Sequence, residues 1–179
     1  MKRVPFGLLL LSAVFSSTSV LAVDGTIFFS GNVVNETCKV EVNGSNSSTP
    51  TVTLPTVKSS ALNRANQTAG LTPFTITLVG AGCTSNSIAA KPYFEPEVEK
   101  VNAQGRLINI GAAENVDIQV LDQSQIAIDL SQSAASQHFG VAKVNEEKLS
   151  YDYFARYFAT AAVTAGTVNS SVSYSIIYK

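Results

Sequence analysis

Residues able to carry chemistry are few and scattered. Cys38 and Cys83 are the only cysteines of the 179-residue chain, and His138 is its only histidine. Any Ser-His-Asp triad or histidine metal site must use His138, yet no Gly-x-Ser-x-Gly elbow is present. Within Ser136-Gln137-His138-Phe139, the histidine reads as an ordinary surface residue of a loop. The cysteines lack Cys-x-x-Cys spacing, so a zinc site is unsupported. Gly80-Ala81-Gly82-Cys83-Thr84-Ser85 begins like a dinucleotide loop. It lacks the third glycine, no helical pattern follows, and a P-loop lysine is missing. It reads instead as a strand-ending turn that carries Cys83. Glu95, Glu97 and Glu99 alternate around Pro96. Paired carboxylates can do acid–base work, but this alternation reads as the solvated face of an edge strand. The sequence therefore predicts no catalytic residue, no metal site and no cofactor: the chain is not an enzyme.

The N-terminus explains how the cysteines are used. Met1-Lys2-Arg3 precedes an apolar run from Phe6 to Phe15, then Ser16-Ser17-Thr18-Ser19 and Val20-Leu21-Ala22. This order fits a secretory signal peptide over residues 1–22, with cleavage after Ala22 and a weaker site after Ser19. As a membrane anchor the run is too short for about 30 Å of hydrocarbon. An exported chain with one pair of cysteines predicts a Cys38–Cys83 disulfide, with two buried free thiols as the alternative. Loss of Lys2 and Arg3 leaves ten basic residues against 13 acidic ones, a net charge near −3. There is no basic patch, so nucleic-acid binding is not expected. Asn-x-Ser/Thr triplets begin at Asn35, Asn43, Asn46, Asn66 and Asn169, as chance allows in a chain rich in these residues.

The elements that must position these residues are strands. Apolar and polar residues alternate in Phe74–Leu78, Val116–Val120 and Ile126–Leu130. Val33-Val34 and Val40-Glu41-Val42 flank Cys38, and Val52-Thr53-Leu54 is a further short strand. Tyr151–Phe158 is aromatic on both faces, as a central strand would be. Turn residues separate these runs at Asn43–Ser48, Gly80–Gly82, Asn102–Gly105 and Thr164–Gly166. Ser59–Asn66 and Ser131–Gln137 suit single helical turns, and no longer amphipathic helix is visible. Short strands at this spacing predict one antiparallel β-sandwich.

The two ends differ. Val168, Val172, Tyr174, Ile176 and Tyr178, with Ser170 among them, share one face of a strand that closes the sequence. Val23, Gly25, Ile27 and Phe29 alternate with Asp24, Thr26 and Phe28 ahead of Ser30-Gly31. On pattern alone this N-terminal segment reads as an ordinary first strand of the same domain.

Gly25-Thr26-Ile27-Phe28-Phe29-Ser30-Gly31-Asn32-Val33-Val34 leading to Cys38 resembles the opening of type 1-like fimbrial (pilus) subunits. Val116–Asp122 is similar to their central strand. Phe154–Thr160, Gly166 and the penultimate Tyr178 match their C-terminal region. The resemblance covers essentially the whole chain after the leader. It implies an all-β fold: an incomplete immunoglobulin-like antiparallel sandwich that lacks its last strand and is completed in trans. The implied organisation is a signal peptide at 1–22, a donor-strand extension at 23–30 and a pilin domain at 31–179.

The implied function is that of a structural subunit of a chaperone–usher fimbria, contributing to cell adhesion. The alternative is a minor or tip subunit with a carbohydrate-binding, adhesin role, though no room remains for a separate lectin domain. Val23, Gly25, Ile27 and Phe29 would form the donor strand. Gly166, Val168, Val172, Tyr174, Ile176 and Tyr178 would form the acceptor groove and chaperone-binding strand. The implied partners are a periplasmic pilus chaperone, an outer-membrane usher and other fimbrial subunits, with a host surface receptor as a further candidate. The implied location is the bacterial cell surface, reached through the periplasm. The donor segment is short after Ala22, which leaves major versus minor subunit open.

Overall fold

A computed structural model describes residues 38–45, 47–80, 83, 90–145 and 148–178. The strands are β1 (Lys39–Val42), β2 (Thr68–Val79), β3 (Lys91–Phe94), β4 (Leu107–Ile108), β5 (Val116–Asp122), β6 (Lys143–Asn145), β7 (Lys148–Ala159) and β8 (Tyr174–Ile177). One sheet runs β1-β2-β7-β5-β4, with β6 also paired to β7. The second holds only β3 and β8. Every strand pair is antiparallel. Among the described residues the one helical element is a 3-10 turn at Ser59–Leu62, where the sequence suggested a single turn.

The alternation read from the sequence is the alternation of burial. In β2, Ile76 and Leu78 are buried while Thr75 and Thr77 face outward. Thr75 Oγ1 donates to Asp152 Oδ1 (2.9 Å), and Thr77 and Ser150 share a hydroxyl bond (3.0 Å). β7 lies between β2 and β5, so Tyr151–Phe158 is the central strand its two-faced aromatic pattern predicted. Tyr153 is fully buried and its ring meets Phe74 (5.4 Å) and Phe94 (5.3 Å). Rings at these separations fill the space between the sheets. Near the far end of β2 the register shifts between Ala69 and Thr72. Gly70 sits there at φ +69°, and a Cβ would fall 2.8 Å from Tyr157 Cδ2. Only glycine meets both conditions.

Three expected strands differ. Ile126–Leu130 keeps the burial alternation only at Ile128 and Leu130, with Ile126 exposed, and forms only an isolated Leu121–Ala127 bridge. Ile128 N–H donates to Val120 O (2.9 Å) within that bridge, and beyond it Leu130 N–H goes to Gly105 O (3.1 Å). Val52–Leu54 joins no ladder. Glu95, Glu97 and Glu99 do not lie along an edge strand. The chain turns there, with Lys100 N–H and Val101 N–H both donating to Glu97 O (2.8 Å). Ser131–Gln137 contains a turn in which Ser136 and Gln137 N–H donate to Ser133 O, but no assigned helix. Val33-Val34 lies outside the described residues.

The outer edge of β3 is closed by side chains. Gln137 is buried and bonds Phe94 twice: its Oε1 accepts from Phe94 N–H (2.9 Å), and its Nε2 donates to Phe94 O (2.9 Å). Two residues back Pro92 has no N–H, and the Ala90 carbonyl accepts from Tyr151 Oη (2.8 Å).

Candidate strand-accepting groove

The six-stranded sheet has more inward face than a two-stranded sheet can cover. The shortfall is an open groove of ≈960 Å³ between the sheets. β1 contributes Val40 and Val42, β2 contributes Phe74 and Ile76, and β5 contributes Ile118 and Val120. Ala155 and Tyr157 of β7 line it, as does Leu107. Val168, Val172, Tyr174 and Ile176 form one lip. Val52 and Leu54 lie on the other.

Among the described residues, both lips carry backbone without a partner. Residues 51–57 make no backbone hydrogen bond within the described structure, although Val52, Leu54 and Val57 alternate half-buried with exposed neighbours. On the opposite lip, residues 169–177 are bonded along one edge. Ile110 N–H donates to Asn169 O (2.8 Å), Glu95 N–H donates to Ser173 O (2.9 Å), and β8 pairs with β3. The other edge faces the groove. Extended chain with vacant N–H and C=O groups is a template for another strand.

Polar groups decorate the rim. Lys100 Nζ donates to Glu97 Oε1 (2.9 Å) and Ser173 Oγ (3.0 Å). Hydrogen bonds from Lys100 and Ser173 hold the Glu97 carboxyl below its usual range. Two tyrosines of the C-terminal lip reach across. Tyr174 Oη donates to Ser48 O (2.8 Å), and Tyr178 Oη accepts from Cys38 N–H (3.1 Å). Burial pushes the Tyr174 phenol up, so it remains a proton donor.

The predicted site residues fall into place unevenly. Cys38 and Cys83 are bonded, with Cα atoms 5.7 Å apart, fastening the start of β1 to the turn after β2. Val168, Val172, Tyr174, Ile176 and Tyr178 are all half-buried and pack on the core, as one face of the C-terminal strand. Gly166 does not line the groove. It is exposed and packs on the 112–113 backbone, where a Cβ would lie 2.4 Å from Ala113 N. Val23, Gly25, Ile27 and Phe29 lie outside the described residues. His138 is more than surface: its Nε2 is 2.7 Å from Oδ2 of buried Asp122. The groove floor from β1, β2, β5 and β7 was not singled out from sequence. Its only signal there was the inward half of each alternating run. Among the described residues no group of three or more His, Cys, Asp or Glu could hold a metal ion.

Comparison with known proteins identifies the class. Residues 54–179 match the family model described as "FimA: Type-1 fimbrial protein, A". The chain is 39% identical over 186 residues to the F17 fimbrial protein of Escherichia coli, covering 100% of both. It is 37% identical over 168 residues to the major fimbrial subunit SMF-1 of Stenotrophomonas maltophilia (strain K279a), covering 88% of this chain and 94% of that one. The minor fimbrial subunit HifD of Haemophilus influenzae is 35% identical over 166 residues, with 88% and 75% covered. Among solved structures, the P pilus rod subunit PapA shares the fold. Its TM-score is 0.58 at 18% identity, over 86% of this chain and 100% of that one. The chain belongs to the type-1 fimbrial protein family: it is a fimbrial subunit with an incomplete immunoglobulin-like fold, of the kind exported through the periplasm to surface fimbriae.

Proposed function

We propose that this subunit is a non-enzymatic building block that polymerises by donor-strand exchange. Residues 1–22 direct export, residues 23–30 form the donor extension and residues 31–179 the accepting domain. The observation that carries this reading is the groove itself: an apolar floor between two lips with vacant backbone. A strand laid between them gains a ladder and buries its alternate side chains.

Val23, Ile27 and Phe29 of one copy suit the floor of the next, at roughly 1.5–3 kcal/mol per fully buried side chain. Gly25 suits a tight passage. Strand addition of this kind is an established mode of chaperone–pilin recognition. A periplasmic chaperone covers the groove first and an outer-membrane usher presides over its replacement by the next subunit. Donor and acceptor are different surfaces, so the contact is heterologous and grows a fibre.

The test is deletion of residues 23–29. The truncated subunit should fold, be exported and accept a strand, but should not extend a fibre. A truncated subunit that unfolds even beside its chaperone would place the segment in its own core and overturn the reading.

A further inference from the structure

We infer that the hydroxyls of Tyr174 and Tyr178 form a two-point latch that holds the empty groove shut and must be released for a strand to enter. The inference rests on the strand-accepting reading of the groove.

Tyr174 and Tyr178 are four residues apart on an extended strand, so both side chains leave the same face. That face is the one packed on the groove and core. Each ring fills apolar space, which a phenylalanine would do equally well. The hydroxyls do something further. Tyr174 Oη crosses to Ser48 O (2.8 Å), on the approach to the vacant 51–57 lip. Tyr178 Oη takes Cys38 N–H (3.1 Å) beside the start of β1. The first bond joins the C-terminal lip to the approach to the opposite one, and the second joins the end of that strand to the start of β1, over sequence separations of 126 and 140 residues.

Adjacent strands lie about 4.8 Å apart, so a gap that admits one strand separates its lips by about twice that. A tyrosine reaching across such a gap crosses the path of the strand that belongs there. The two anchors are backbone atoms, which no side-chain rotation can withdraw. The Cys38 anchor is also fixed by its bond to Cys83. Opening therefore falls to the tyrosines.

Two bonds of this sort give the empty subunit a defined closed state. They limit exposure of the apolar floor and slow the capture of stray strands. A proper donor replaces them with a full ladder.

The test uses the full oxidised chain and a synthetic peptide of residues 23–29, in excess and labelled for fluorescence. Capture rates are compared for wild type, Tyr174→Phe and Tyr178→Phe, with amide hydrogen exchange read at Cys38. Each phenylalanine keeps the ring and removes one hydrogen bond. Capture should accelerate roughly 2- to 10-fold per hydroxyl, the factor carried by one net bond. Exchange at Cys38 should quicken in Tyr178→Phe alone. If wild type takes up the peptide and both variants capture it no faster, the latch is overturned while the groove reading stands. If neither wild type nor either variant takes up the peptide, both are overturned. Should either variant melt too early to assay, the other variant and the Cys38 exchange rate decide.

Discussion

Nε2 of His138 lies 2.7 Å from Oδ2 of Asp122, a carboxylate whose side chain is only 2% exposed. The second oxygen, Oδ1, accepts from the N–H groups of Ser124 and Ile126 (both 2.8 Å). One aspartate thus shapes the turn after β5 and ties it to the loop that holds the chain's only histidine. Burial alone would push its pKa up. The hydrogen bonds from His138 and from the backbone of Ile126 and Ser124 outweigh that, and the net shift is down.

Acid stability follows from the sign of that shift. A carboxyl with a folded pKa below its unfolded value of about 3.9 stabilises the fold fully above that pH. The contribution is lost as pH falls through the folded pKa. Asp129, held by Ser131 and Gln132, and Asp152, held by Lys143 and Thr75, shift the same way. The melting temperature should fall steeply below about pH 4, and Asp122→Asn should flatten part of that limb. At neutral pH His138→Ala should cost roughly 1 kcal/mol, because the imidazole is half exposed while its partner is not. Urea titration of the variants measures both.

Loss of the Cys38–Cys83 bond should cost about 2–4 kcal/mol, since it frees a long loop in the unfolded chain. Cys38→Ser/Cys83→Ser should also loosen β1, which carries Val40 and Val42 of the groove floor. Peptide mapping without reduction should recover the linked pair. Denaturant midpoints of the double variant give the energy.

Gly166→Val should destabilise the domain without touching the groove. Its Cβ would lie 2.4 Å from Ala113 N and 2.7 Å from Ala112 C, both backbone atoms that cannot rotate away. Overpacking of this type costs about 1–3 kcal/mol. A lowered melting temperature with unchanged peptide capture by the surviving folded protein is the expected pair of results.

Deletion of Tyr174–Lys179 should abolish co-purification with the chaperone and lead to degradation in the periplasm. It removes β8 and the apolar lip formed by Tyr174 and Ile176. A truncated subunit that still formed a stable chaperone complex would move the recognition site elsewhere.

Periodicity made much of this fold legible, but periodicity reports burial and not pairing. Tyr151–Phe158 is central because both its faces carry large side chains, and no edge strand needs that. Ile126–Leu130 shows the limit. Ile128 and Leu130 point inward as read, but Ile126 is exposed, Asp122 tightens the preceding turn and the backbone bonds scatter to Asp122, Val120 and Gly105. Val52–Leu54 has the pattern of a strand because its inner residues touch the groove, while among the described residues its backbone has no partner. His138 reads as a surface loop residue and is exposed, but its bond to Asp122 could not be read. Its significance depends on a carboxylate 16 residues away that only the turn geometry brings to it. Gly166 was placed on the groove by resemblance, whereas its tight contact is with the 112–113 backbone.

The side-chain closure of β3 bears on the direction of growth. A two-stranded sheet ordinarily offers two ends at which a further strand can add. At the β3 end, Phe94 has both backbone groups held by Gln137, Pro92 has no proton to give, and the Ala90 carbonyl is held by Tyr151. Addition to this sheet is therefore single-valent: it can proceed beside the C-terminal strand and not beside β3. On the donor-strand exchange proposed above, a subunit with one open valence in this sheet and one strand to give links into an unbranched line.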